Sequence, residues 1–282
     1  MPPIVRSDGS MPTRSEKGRA TAIFNRLRRR YPDIHTALSY ENPWQLLVVT
    51  VLSAQTTDEN VNRTAPALFA RYPTPQALAE ADPEEVESLV YSTGFYRQKT
   101  ESIIALSVDL VERHRGEVPA SLDELVPLRG VGRKTASVVL AEAFGQPAIA
   151  VDTHVRRVSN RLGLTNGQNP LKIEQDLKAV FPRSNWSKLS MSIIQFGRDV
   201  CTARSPRCPE CELARLCPWP YKTAPGPDNS GPDNAGPDTP GPDNAGPDNA
   251  GPDTPGPDTP GPDTPGQNNA GMTPPTEAAP AG

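Results

Sequence analysis

An all-α protein is expected from three features of the chain. Apolar residues recur at helical spacing through residues 15–200. Cap residues and prolines at first helical positions punctuate those runs, and no stretch shows the alternation or paired turn of a β-hairpin. In order, Thr13-Arg-Ser-Glu16 is a capping-box pattern, followed by Ala20, Ile23, Phe24, Leu27 and Tyr31 on one face. Asn42-Pro43 opens a second helix, and Trp44 to Leu52 is apolar on nearly all sides, so that helix is expected to be buried. Asp82-Pro83 starts another that stops near Gly94, and a further one runs from about Arg97 to His114. Ser121 to Glu124 reads as a second capping box, and Arg133 to Phe144 as a helix ended by Gly145. Asp152 is placed to cap a helix running to about Leu162; Asn169-Pro170 opens one toward Val180, and Asn185 one toward Gly197. Residues 36–146 are read as one six-helix domain. Residues 15–35 with 147–221 form a second, leaving a groove between the two.

The ends of the chain read differently. From Gly226 the sequence repeats Gly-Pro-Asp-x-x eight times and then degenerates, with no Lys, Arg, aromatic, Leu, Ile or Val after Pro225. Such a segment cannot bury apolar area to offset its ordering entropy, so residues 222–282 are expected to be disordered, as are residues 1–14. Collagen is excluded, because it needs glycine every third residue. The tail carries eight Asp and Glu277 without a base, so the net charge of −4 for the whole chain conceals +5 on residues 1–225. A basic body suits a polyanionic partner. No run of signal-peptide or membrane-spanning length is present, so a soluble cytoplasmic protein is expected.

All four cysteines lie between 201 and 217, spaced Cys201-x6-Cys208-x2-Cys211-x5-Cys217. A disulfide framework would be spread through the chain, so this cluster points to a metal site in a reducing compartment. Four thiolates fit tetrahedral zinc or a [4Fe–4S] cluster; a single Cys-x-x-Cys pair with all ligands this close favours the cluster modestly.

Leu128-Arg129-Gly130-Val131-Gly132-Arg133-Lys134 joins two helices. Two glycines flanking one apolar residue let the backbone turn tightly and present consecutive N–H groups. The following helix N-terminus adds more, making a phosphate site supported by Arg129 and Arg133. Lys134 falls in the first turn of that helix. A free lysine has a pKa near 10.4, so well under ~1% is neutral amine at pH 7. The helix dipole, a neighbouring arginine and desolvation in a groove favour the neutral, nucleophilic form. A carboxylate acts the other way, so Asp152 is better suited to taking a proton during attack and to stabilising positive charge on a sugar.

The hairpin with Lys134, the segment Ala150-Val-Asp-Thr-His-Val-Arg-Arg-Val158, Leu52-Ser-Ala-Gln-Thr-Thr-Asp58 and the cysteine spacing, each moderately specific and together highly so, resemble the endonuclease III family of helix-hairpin-helix DNA glycosylases. The likeness spans residues 15–221. It implies a two-domain α fold, a [4Fe–4S] cluster on the four cysteines, and a monomer that acts on damaged pyrimidines and abasic sites in duplex DNA of the nucleoid. It implies that Lys134 and Asp152 are the catalytic pair. It implies that Gln55 fills the gap left by a flipped nucleotide, and that Phe95, where the family usually has Leu, wedges beside the estranged base. The alternatives are that Gln55 merely ends the buried helix and that Phe95 is core. Arg204 and Arg207, between the first two cysteines, are expected to contact phosphate.

Two positions depart from the family pattern: Arg129 replaces a proline, and Phe196 stands where a histidine is usual, which removes any inherited hydrogen bond there. An adenine glycosylase of the same fold would carry a Glu in the buried helix and lack the lysine; Trp44 to Gln55 has no Glu. A non-catalytic DNA-binding module would need the hairpin but not the Lys134–Asp152 pair, and a zinc-stabilised regulator would need only the cysteines.

Overall fold

The computed structural model describes residues 4–223; the repeat tail expected to be disordered lies outside them. Among the described residues there are α-helices, short 3-10 turns and no strand. The helices are α1 (Arg14–Arg30), α2 (Pro43–Leu52), α3 (Asp58–Arg71), α4 (Pro75–Ala79), α5 (Pro83–Val90), α6 (Tyr96–His114), α7 (Leu122–Leu125), α8 (Arg133–Phe144), α9 (Thr153–Arg161), α10 (Pro170–Val180) and α11 (Trp186–Asp199). None is long and apolar enough to cross a membrane.

Local rules explain most of the starts. Thr13 Oγ1 accepts from Glu16 N at 3.2 Å and Glu16 Oε2 accepts from Thr13 N at 2.7 Å, closing the capping box of α1. Asn42, Asp82 and Asn169 each cap a helix whose first residue is proline. Every residue of α2 from Trp44 to Leu52 is buried, as an all-round apolar helix must be.

Two hydrophobic cores result. One gathers α2 to α8 around α2, from Leu38 to Ala148. The other gathers α1, α9, α10, α11 and Leu213, with Ile149 its first residue after the crossing. The chain thus passes from one core to the other between Ala148 and Ile149. Three polar bridges join the cores. Arg133 of α8 pairs with Glu174 of α10, Arg198 of α11 with Asp58 of α3 at 3.0 Å, and Ser187 Oγ donates to Gln146 O at 3.1 Å.

Some expectations need correction. Residues 36–146 hold seven α-helices rather than six; α4 and α7 are a turn or so each. Ser121 makes no side-chain cap bond, and α7 stops after four residues. Asn185 makes none either: a 3-10 turn, Arg183–Asn185, feeds directly into α11. Helix α11 does not stop at Gly197. That glycine is there for close packing, since a Cβ would sit 2.9 Å from His154 Cβ. Residues 4–13, expected to be disordered, lie against α10: Asp176 Oδ1 accepts from Ser7 N at 2.8 Å, and Arg6 pairs with Glu16 at 2.9 Å. At the other end, Thr223 Oγ1 donates to Pro206 O at 2.7 Å, so order extends past residue 221.

Candidate active site and cysteine cavity

The hairpin is built as a backbone device. Leu128 and Val131 are buried in the first core, so the turn is held by its side chains, and within it Val131 N donates to Leu128 O at 3.0 Å. Gly130 takes φ +73°, and a Cβ there would meet Ser102 Cβ at 2.9 Å; both facts require glycine. Gly132 caps α8 without a side chain, leaving the N–H groups of the first turn available to an anion. Lys134, in that first turn, is exposed.

The two flanking arginines are less free than the sequence suggests. Arg133 Nε and Nη2 donate to Glu174 Oε2 and Oε1 at 2.6 and 3.1 Å, and Glu174 also binds Lys178. Burial raises the Glu174 carboxyl pKa, but these two cations outweigh it and hold it below its usual value. Arg133 is therefore first a clamp between the cores. Arg129 pairs with Glu101 at 3.1 Å across exposed surface, an attachment weak enough for a phosphate to displace.

Asp152 sits at the N-terminus of α9. Its Oδ1 accepts from Val155 N at 2.8 Å and its Oδ2 lies 3.1 Å from His154 Nδ1. The carboxylate is largely buried, which pushes its pKa up. The His154 hydrogen bond, the charges of Lys134 and His154, and the Val155 N–H together more than reverse that, and the group is held below its usual value. It is ionised at neutral pH. The structure thus brings the Lys134 ammonium within electrostatic reach of the Asp152 carboxylate, across the seam between α8 and α9.

Gln55 and Phe95 share an unusual feature. Both have left-handed backbones, φ +54° and +47°, at non-glycine residues, a conformation costing on the order of 1–2 kcal/mol each. Both are exposed, and Phe95 is 62% so. A large apolar side chain held outward on a strained backbone is not core, which disposes of that alternative for Phe95. Beneath it Lys99, buried, donates from Nζ to Thr93 O at 2.7 Å, and burial pushes its pKa down to about 8.

The four cysteines line one cavity with Arg161, Phe196, Pro206 and Trp219. All four are free thiols, so no disulfide competes for them. Burial pushes the Cys211 thiol up to about 11, so bound metal rather than the protein's own field is what would keep it as thiolate. Phe196, fully buried, presents an apolar wall where a histidine would be polar. Arg204 and Arg207 are exposed on the loop between Cys201 and Cys208.

Sequence reasoning missed the second layer. Arg157 Nε donates to Cys201 O at 3.1 Å, and Arg161 donates to Thr202 O at 2.7 Å while its guanidinium covers the Trp219 ring at 4.1 Å. Their i, i+4 spacing on α9 was the available signal.

A family profile described as HhH-GPD superfamily base excision DNA repair protein matches residues 48–183. Endonuclease III of Synechocystis sp. is 52% identical over 205 residues, covering 72% of this chain and 94% of that protein. The chain belongs to the endonuclease III family. Endonuclease III of Escherichia coli K12 is 41% identical, covering 73% of this chain and 98% of that protein. A solved structure of a trapped covalent intermediate of an endonuclease III with DNA matches with a TM-score of 0.70 at 43% identity, over 74% of this chain and 97% of that one. A thermostable thymine-DNA glycosylase, 20% identical with a TM-score of 0.66, shares the fold. The endonuclease III assignment makes this chain a base-excision repair enzyme, a DNA glycosylase and abasic-site lyase.

Proposed function

We propose that this endonuclease III removes oxidised pyrimidines from duplex DNA, with Lys134 as nucleophile and Asp152 as its partner. One observation carries the reading: an ionised, largely buried Asp152 within electrostatic reach of an exposed Lys134, beside a glycine hairpin that runs into the N-terminus of α8. Lys134 Nζ attacks C1′ of the flipped nucleotide, and the C1′–base bond breaks with its electrons leaving on the base. Asp152 takes the proton that the amine sheds and stabilises charge at the sugar. Ring opening gives a protonated Schiff base. Loss of a C2′ proton then expels the 3′ phosphate, cutting the strand 3′ to the abasic site.

The hairpin backbone from Gly130 to Gly132, Arg129 and, once its Glu174 partner shares it, Arg133 hold phosphate. Arg204 and Arg207 hold a second stretch of backbone. Gln55 and Phe95 enter the stack, offsetting the few kcal/mol that flipping costs. The enzyme acts as a monomer in the nucleoid.

The four cysteines hold a [4Fe–4S] cluster, which supplies rigidity to the loop from Cys201 to Cys217 rather than chemistry at the sugar. Among the described residues no group of three or more His, Cys, Asp or Glu is placed to hold a single metal ion. Mononuclear zinc would require sulfurs about 3.8 Å apart; a larger cluster accepts a wider cage. Iron analysis and absorption at about 400 nm separate the two.

Borohydride trapping on a thymine glycol duplex tests the chemistry. A covalent adduct with the wild type that disappears in Lys134→Ala is the expected result. Base loss without an adduct in the wild type would refute the Schiff-base assignment.

A further inference from the structure

The two loops proposed to enter DNA are joined by one side chain. Asn60, in the first turn of α3, donates from Nδ2 to Thr56 Oγ1 at 3.0 Å and to Ser92 O at 2.8 Å. Thr56 adjoins Gln55, and Ser92 lies three residues before Phe95. The amide has two N–H donors, and each goes to a different loop. Its orientation is fixed by the third bond, since Asn60 Oδ1 accepts from Arg63 Nη2 at 2.7 Å. The tether is also reinforced locally: Thr64 Oγ1 lies 2.9 Å from Ser92 Oγ, and Lys99 Nζ grips the next carbonyl, that of Thr93.

Nothing in the packing of the first core requires this arrangement. Asn60 is only partly buried, and α3 is already capped by Thr57, whose Oγ1 accepts from Asn60 N at 3.2 Å. What the two bonds do is fix the separation of two strained, exposed residues, each in a left-handed conformation that its loop must be held to keep. Left apart, the loops would relax independently, and two probes that must enter one duplex together would lose their register.

We infer that Asn60 is a positioning residue that locks the Gln55 and Phe95 loops at the spacing needed to open the base stack. The inference rests on the reading of Gln55 and Phe95 as inserted residues, and it deepens that reading: the pair acts as one rigid tool. It also separates the two loops by chemistry. The Thr56 hydroxyl can donate as well as accept, whereas the Ser92 carbonyl only accepts. An aspartate at position 60 therefore keeps the Thr56 bond and loses the Ser92 bond, cutting the Phe95 loop from the Gln55 loop while Thr64 and Lys99 still hold it locally. It also places a negative charge at a helix N-terminus, so α3 is not weakened.

The test is single-turnover base release from a thymine glycol duplex by the full chain. Extrusion is followed in parallel by fluorescence of 2-aminopurine placed next to the lesion. Asn60→Asp, Phe95→Ala and the double variant are compared with the wild type. In the wild-type background Asn60→Asp is expected to slow both signals about tenfold, the loss typical of a hydrogen bond whose acceptor is left facing a charge. In the Phe95→Ala background it is expected to change them less than about twofold, because nothing remains to be positioned. An unchanged melting temperature accompanies this. Equal losses in both backgrounds, or no loss in either, would overturn the role assigned to Asn60. Wild-type rates in Phe95→Ala alone would instead overturn the insertion reading on which it rests. Asn60→Leu, which lacks both donors, is expected to lose more than Asn60→Asp; if it loses less, the tether is not what matters.

Discussion

At Asp152 one carboxylate serves two purposes, and substitutions separate them. As an N-cap it binds Val155 N; in the catalytic role proposed for it, it must be charged beside Lys134. Asparagine caps a helix as well as aspartate does. Asp152→Asn should therefore melt about 3 °C above Asp152→Ala, the difference that a lost cap of about 1 kcal/mol makes in a domain this size. Both should lose base-release activity by about 10²–10⁴, the usual worth of a placed proton acceptor. Near wild-type rates in Asp152→Asn would show that the cap is its only task. Both residues of the proposed pair could be singled out in the sequence, because a lysine after Gly-x-Gly and an aspartate before a helix are local signals. Their neighbours were not. The commitment of Arg133 to Glu174 depends on a contact 41 residues away. The burial of Lys99, on a helix whose spacing gives no hint of it, depends on where the Thr93 carbonyl lies.

Among the elements, α8 and α10 meet through that same Glu174, which gives the seam a pH dependence. Its carboxyl is held below the usual value of 4.5 despite burial, because Arg133 and Lys178 stabilise the charged form. A depressed folded-state value contributes stability above the unfolded value, and that contribution is lost as pH falls through the folded one. Glu174→Gln should therefore destabilise at pH 7 by on the order of 1–2 kcal/mol, allowing for the partial exposure of Arg133, or about 4 °C in melting temperature. The gap to wild type should close as pH drops below 4.5. A gap constant with pH would mean that shape, not charge, holds the seam. The helices themselves show which signals travel. The starts at Asn42-Pro43, Asp82-Pro83 and Asn169-Pro170 were read correctly, since capping is settled within four residues, but Thr74-Pro75, which opens α4 in the same way, was missed. Helix α3 was passed over, although Thr57 caps it, Val61, Thr64, Ala65 and Leu68 fall at helical spacing on its buried face, and the helix continues through Pro66. Gly197 lies inside α11, and its lack of a side chain answers to His154 on another helix.

Among the described residues the passage between the two cores falls after Ala148, two residues beyond the domain boundary expected after residue 146. What remains is the charge contrast between body and tail. The described chain ends with Thr223 hydrogen-bonded to the Pro206 carbonyl, in the loop that carries Arg204 and Arg207. In the sequence, the segment holding eight Asp and Glu277 follows three residues after Thr223. Nine negative charges on the same chain oppose a polyanion, and salt screens that opposition within about 10 Å at 0.1 M. Truncation after Pro225 should therefore tighten binding to undamaged duplex about threefold, some 0.6 kcal/mol, at low salt. Affinity should also fall more steeply with salt, because more phosphate contacts are made when the competing charge is gone. The two forms should converge at about 1 M salt, where screening reaches about 3 Å. The rate of base release at saturating enzyme should not change, since Lys134 and Asp152 stand on α8 and at the start of α9. Filter binding across a salt series decides it. Identical affinities and slopes for the two forms would leave the acidic repeat without a part in DNA binding.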